Sequence, residues 1–194
     1  LMKYGIENIF IEEPLSLIFS IFLLLGISNL GIVFQRYLKK NYNFHYITNH
    51  FFSPIFGTYI VIFFLYPLTL LGLSNDFLFK LITFALLLFG IFFFIKIIKK
   101  LNTKFKFDFK KENVLYLSFF TLFLIAAAPI THADSIYYHL NSAAYILSSG
   151  TFSTEILPFE DKIAGSGEII IALGLSFGLQ QFGGLLQFSS LFSL

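Results

Sequence analysis

The sequence predicts an all-α integral membrane protein, with about five transmembrane helices plus an amphipathic interfacial helix in a long outer loop. Three observations predict it. First, the chain is 57% hydrophobic and 12% charged over 194 residues, with a mean hydropathy of +0.81. A soluble domain of this length cannot cover that much apolar surface, whereas a bilayer makes it the outside of the protein. Second, several apolar stretches come near the ~20 residues that a helix needs to cross ~30 Å of hydrocarbon. Third, the charged residues between those stretches segregate by sign. Backbone in lipid must pair its own polar groups, and the alternating pattern of a barrel strand is missing, so helices follow.

The spans read in order. The first is Pro14–Phe34, with Pro14 suited to an opening helical turn, where its missing N–H costs nothing. The second is Phe51–Leu73 and the third Phe77–Ile98, with Lys80 near one end and Lys96 near the other, both able to snorkel to an interface. The fourth is Val114–Ile130, stopped by Pro129 and the polar run after it. The fifth runs from Ile169 to Leu194. All belong to a single transmembrane domain, and the apolar end at Leu194 reads as a fragment of a longer chain. Gly26, Gly57, Gly90 and Gly174 within the spans permit either helix breaks or close packing. Gln180, Gln181 and Gln187 in the fifth span are expected to face other helices, where an amide finds partners.

Charge gives the orientation. Arg36, Lys39, Lys40, Lys96, Lys99, Lys100, Lys104, Lys106, Lys110 and Lys111 share one side with only Asp108 and Glu112. Glu7, Glu12, Glu13, Asp76, Asp134, Glu155, Glu160, Asp161 and Glu168 hold the other, against Lys3, Lys80 and Lys162. The basic side is cytoplasmic by the positive-inside rule. That places the chain in the cytoplasmic (inner or plasma) membrane, with the N-terminus and loop 131–168 outside. A formal net charge of +2, with basic residues beside apolar stretches, excludes nucleic acid as a partner. Cysteine is absent, which excludes disulfides and thiolate metal sites. The first apolar stretch is too long, and too acidic in its approach, for a signal peptide.

The outer loop carries the chemistry. It reads Pro129-Ile-Thr-His-Ala-Asp134-Ser-Ile-Tyr-Tyr-His139-Leu-Asn-Ser-Ala-Ala-Tyr145-Ile-Leu-Ser-Ser-Gly150. Asp134 stands where a helix would start and Gly150 where it would stop, giving a helix of about 135–149. Ile136, Leu140, Ala143 and Leu147 line one face of it. Asp134, Tyr138, Asn141 and Tyr145 make a more polar row. Such a helix is expected to lie at the membrane surface with its apolar stripe down.

This run resembles the polytopic membrane glycosyltransferases of the GT-C class. In that class an aspartate opens the first large extracytoplasmic loop, and an amphipathic helix with an aromatic Asp-x-x-x-Tyr pattern follows. The matching residues here are Asp134-Ser-Ile-Tyr-Tyr138-His139, then Tyr145 and Gly150. The resemblance implies a transferase that takes a sugar from a polyprenyl-phosphate-type lipid. The acceptor is a glycan, lipid or protein outside the membrane, and Asp134 is the catalytic position. A phosphate leaves with little help, so the hydroxyl acceptor needs the base. Tyr137, Tyr138, His139 and Tyr145 then become candidates for substrate binding. Glu155 and Glu160 are candidates for the second acid that the class commonly pairs with its aspartate. Membrane lipids are the remaining partner.

Plainer readings stand beside these. Asp134 reads equally as a helix N-cap, and Tyr138 and Tyr145 as interface anchors. No cofactor is certain, although a divalent metal is possible. His132, Asp134 and His139 are its nearest ligands, but their spacing does not share one helix face. The competing functions are a polytopic transporter or flippase, disfavoured by spans with almost no charge at their centres, and a non-catalytic membrane assembly subunit.

Overall fold

The computed structural model describes residues 14–42, 52–101, 113–128, 139–152 and 165–191. These form seven helices and, among the described residues, no strand. The helices are α1 Leu15–Tyr42, α2 Ser53–Leu70, α3 Asp76–Leu101, α4 Asn113–Ala127, α5 Asn141–Ser149, α6 Ser166–Leu175 and α7 Phe182–Leu191. Three of them, α1, α2 and α3, are long and apolar enough to cross a membrane.

Helix α1 is the centre of this unit and packs along both α2 and α3. Glycine makes that possible. A Cβ placed on Gly26 would stand 2.0 Å from the Leu86 carbonyl oxygen of α3, and one on Gly90 1.9 Å from that of Phe22. The same device joins α1 to α2. A Cβ on Gly31 would meet the Ser53 oxygen at 2.0 Å, and one on Gly57 the Ile27 oxygen at 1.9 Å. The helices therefore touch backbone to backbone, the usual route to tight association where lipid supplies no hydrophobic drive between helices.

Large apolar side chains such as Leu23, Ile27, Leu65 and Phe79 are buried, yet many more face outward. The buried positions of α2 are Ser53, Gly57, Val61, Leu65 and Thr69, a strict four-residue repeat, mostly small or hydroxylic. Its outward face carries Tyr59, Phe63 and Phe64, the second of them 73% exposed. On α3 the exposed residues include Phe77, Leu81, Phe84, Leu88 and Phe92, while Thr83 is fully buried. Large apolar groups outside and small or polar groups inside is the distribution expected when the surrounding solvent is lipid. Three of the hydroxyls are satisfied by their own helices: Ser28 donates to Leu24 O at 2.8 Å, Thr58 to Pro54 O at 2.8 Å and Thr69 to Leu65 O at 2.9 Å.

Helix α2 opens with proline in its first turn and ends in a Schellman motif. Leu73 N–H reaches Leu68 O at 2.8 Å, Gly72 N–H reaches Thr69 O at 3.2 Å, and Gly72 takes φ 68°. Asn75 then starts α3, its side-chain oxygen accepting from Leu78 N–H at 2.8 Å. Lys80 pairs with Asp76 at 2.5 Å on the surface, and Lys96 rests 4.3 Å from the centre of the Phe92 ring.

Two expected spans look different in the structure. Helix α4 has 15 residues, ~22 Å of rise, less than a full hydrocarbon crossing. The stretch expected to span from Ile169 onward is two ten-residue helices, α6 and α7, separated by a turn. A second Schellman motif explains the break. Leu179 N–H bonds Gly174 O at 3.0 Å, Gly178 N–H bonds Leu175 O at 2.8 Å, and Gly178 takes φ 68°.

Irregular backbone inside a membrane must be covered by protein. Here it is, with Ser176, Leu179 and Gln181 all buried. The turn sends Phe177 N–H to Gly174 O, which frees the Leu173 carbonyl from the helical ladder. Thr83 of α3 donates to that carbonyl at 2.9 Å, and Ser176 donates to it at 2.8 Å. Ser16 of α1 donates to the Gln181 side chain, so the turn is tied to both long helices. Helix α7 in turn lies close on α4, where a Cβ on Gly184 would stand 2.6 Å from Ala126 O.

Candidate functional site

The loop helix forms, but over a shorter range and in a different setting. Helix α5 covers Asn141–Ser149, with His139 and Leu140 in a wider turn just before it. Its expected apolar stripe is present, since Leu140, Ala143 and Leu147 are buried, joined by Ala144 and Ile146. What covers the stripe is protein: α5 packs on α6 and on α3. Gly150 ends the helix as anticipated, at φ 76° with its N–H on Ile146 O at 2.9 Å. That end is docked on the α2–α3 corner. Ser74 donates to Gly150 O at 2.7 Å, a Cβ on Gly150 would stand 2.0 Å from Ser74 O, and the Phe152 ring lies 5.4 Å from that of Tyr66.

The other end of α5 is held by an ionisable pair. His139 Nδ1 lies 2.9 Å from Glu168 Oε1, at the start of α6. The second carboxylate oxygen accepts the Gly165 N–H at 2.6 Å, which is one half of a capping box, because Gly165 has no side chain to return the bond. The Glu168 side chain is 11% exposed and that of His139 is 56% exposed. A buried carboxylate is costly unless hydrogen-bonded, and these two bonds supply what water no longer does. An ionised carboxylate only accepts, so Nδ1 carries the proton between them. With the imidazole neutral, Nε2 is then the ring's lone-pair acceptor.

A cavity of about 390 Å³ opens between α2, the start of α6 and α7, with neither His139 nor Glu168 in its lining. Its polar lining is Thr58, Tyr59, Ser166, Gln187, Ser189 and Ser190. Ser166 and Glu168 belong to the same first turn of α6. Thr58, in the first third of α2, lies ~18 Å along the helix from the α2–α3 corner, so the cavity opens well below that corner. A larger groove, along Ile82–Phe92 of α3, is almost wholly apolar and belongs to the outward face of that helix.

Of the residues singled out in the sequence, Asp134, Tyr137, Tyr138, Glu155 and Glu160 lie outside the described residues, as does His132. His139 stands in the ion pair. Tyr145 is partly buried on α5, its carbonyl accepting from Ser148 and Ser149, and its position on the helix is not on the His139 side. Among the described residues no three His, Asp or Glu side chains gather as a metal site. The residue that sequence reading missed is Glu168, seen there only as one more outer acid. Its signal was local: Gly165-Ser-Gly-Glu168 has the N-cap-to-N3 spacing of a capping box before an apolar run. Its histidine partner, 29 positions earlier, leaves no such trace.

The family description of the DUF1420 N-terminal domain matches residues 2–123 and again residues 91–194, and the chain belongs to that family. No curated protein and no solved structure matches the chain.

Proposed function

We propose, with DUF1420 membership as the premise, that the protein is part of a GT-C-like membrane glycosyltransferase. It moves a sugar from a polyprenyl-phosphate-type lipid to an acceptor on the extracytoplasmic side. One observation carries the reading. The Asp134-Ser-Ile-Tyr-Tyr138-His139 run precedes α5 in the sequence, and its last residue is bonded to a buried carboxylate on α6. Ionisable groups beside lipid-facing helices are costly to keep and mark functional sites more often than structural ones. In the transfer, the acceptor oxygen bonds to the anomeric carbon, the carbon–phosphate oxygen bond breaks, and the electron pair leaves with the phosphate. The hydroxyl proton goes to a base, for which Asp134 is the candidate that the resemblance implies. The donor's hydrocarbon tail stays in the bilayer, against helices whose outer faces are phenylalanine and leucine.

The test is sugar transfer in membranes carrying the complete protein, wild type against Asp134→Asn at matched expression. The substitution keeps shape and capping ability but removes the base. The expected outcome is loss of transfer by about 10²-fold or more with normal insertion. Unchanged transfer would remove Asp134 from the chemistry.

A transporter is the second reading, favoured by the α6–turn–α7 break. Transporters build sites where a helix breaks and hydroxyls and freed carbonyls converge. Thr83, Ser176, Ser16 and Gln181 form such a gathering, without a charged member. Uptake of labelled polyprenyl-phosphate sugars into protein-loaded vesicles, with no sugar transferred, would select it.

A further inference from the structure

We propose that His139 and Glu168 form a proton-transfer dyad, with His139 Nε2 as the group that takes the acceptor's proton and Glu168 as its positioning residue. The proposal rests on the transferase reading and differs from it in the base, since His139 takes the proton that the resemblance would give to Asp134.

The geometry has three parts. Glu168 is fixed before any substrate arrives: one oxygen is held by the Gly165 backbone N–H at 2.6 Å, in the first turn of a helix whose next residues, Ile169 and Ile170, are buried. The carboxylate cannot rotate away without leaving a buried charge unpaired. Its other oxygen holds His139 Nδ1 at 2.9 Å, which fixes both tautomer and ring orientation. The histidine side chain is more than half exposed while its partner is almost covered, so one edge of the ring is free and the other anchored. A base oriented by a third group is the arrangement that activates hydroxyls in unrelated enzymes.

The atoms balance within the proposed reaction. The acceptor O–H loses its proton to Nε2 as the oxygen bonds to the anomeric carbon, and the phosphate departs with the electron pair of the broken bond. The imidazolium so formed is stabilised by Glu168, which stays ionised. The proton leaves to water from the exposed ring edge. Asp134, five residues earlier in the chain, is then not the base.

The experiment uses membrane vesicles containing the complete protein, supplied with radiolabelled polyprenyl-phosphate hexose and pentose donors. Transfer is compared for wild type, His139→Gln, Glu168→Gln and Asp134→Asn. The expected result is a fall in kcat of about 10²-fold or more for His139→Gln and at least about tenfold for Glu168→Gln, with donor KM within about twofold in both. A second readout needs no donor. In ¹⁵N spectra of the labelled protein in nanodiscs, His139 is expected to show the Nδ1-protonated tautomer, lost in Glu168→Gln, where the amide can donate to the ring instead. Full transfer by His139→Gln alongside loss in Asp134→Asn would overturn the dyad and keep the transferase. An Nε2-protonated His139 in the wild type would also overturn it. No transfer by the wild type with any donor would remove the transferase reading, and the dyad with it.

Discussion

The glycine-joined unit α1–α3 and the short helices α5–α7 solve opposite problems. In the first, the long helices meet backbone to backbone at Gly26, Gly31, Gly57 and Gly90, and the Ser28, Thr58 and Thr69 hydroxyls are satisfied within their own helices. In the second, no helix exceeds ten residues, the ladder is broken at Gly178, and the pieces are tied down by hydrogen bonds that cross between elements. Thr83 reaches across to Leu173 O, Ser16 to Gln181, Ser74 to Gly150 O and His139 to Glu168. The first region is a frame that tolerates no added atom at its contacts. The second is assembled on that frame by hydrogen bonds. The difference teaches where a site can be built: irregular backbone and an ionisable pair need a rigid wall behind them, and α1–α3 is that wall.

Gly26→Val is expected to have the largest effect on this contrast. Its side chain would drive into the Leu86 backbone, which cannot move aside as a side chain could. The loss in stability is at or beyond the upper end of ~1–3 kcal/mol for overpacking. Thermal unfolding in detergent, with recovery of monodisperse protein by size exclusion, checks it. If Gly26→Val is as stable as the wild type, α1 and α3 do not pack through this glycine and the frame is misassigned.

A smaller effect is expected from Gly178→Ala. The left-handed conformation at φ 68° costs a non-glycine residue ~1–2 kcal/mol. The loss should be confined to the broken region. Hydrogen exchange is expected to rise in α6 and α7 and stay unchanged in α1 and α2. Equal loosening of all helices would mean that the two regions unfold as one.

The smallest effects compare two buried hydroxyls. Thr83→Val removes a donor from the freed Leu173 carbonyl, which keeps Ser176, and is expected to cost ~1 kcal/mol. Ser20 Oγ is buried with no hydrogen-bond partner, so Ser20→Ala is expected to change stability by less than ~0.5 kcal/mol or to raise it. Parallel melting curves of the two variants decide whether the cross-helix bond matters. A larger loss for Ser20→Ala would reverse the assignment.

Much of the frame was legible because lipid makes the pattern one-dimensional. A long apolar run flanked by charges reads as a helix without knowledge of its neighbours, and α1, α2 and α3 follow the expected spans to within a few residues at most ends. Helix α1 instead runs on to Tyr42, carrying Arg36, Lys39 and Lys40 within it, because nothing in that polar run breaks a helix. Gly174 was a candidate for a break, yet the residue that takes the left-handed turn is Gly178. An apolar run with several glycines does not say which one will be chosen. The choice falls where Thr83 and Ser176 can satisfy the Leu173 carbonyl that the break exposes.

The site divides in the same way. The sequence alone determined that helices would form, which stretches would be apolar, that His139 stands within a polar, aromatic run, and that Gly150 would end the loop helix. Each of these depends on residues within a turn or two of one another, where periodicity and capping act. Only the tertiary structure decided that the stripe of α5 is covered by α6 and α3, that the last apolar stretch is two helices, and that Glu168 is the partner of His139. Those outcomes join residues 29 to 165 positions apart, and a contact between distant parts of a chain is selected by the shape and polarity of the finished packing, which no local pattern encodes.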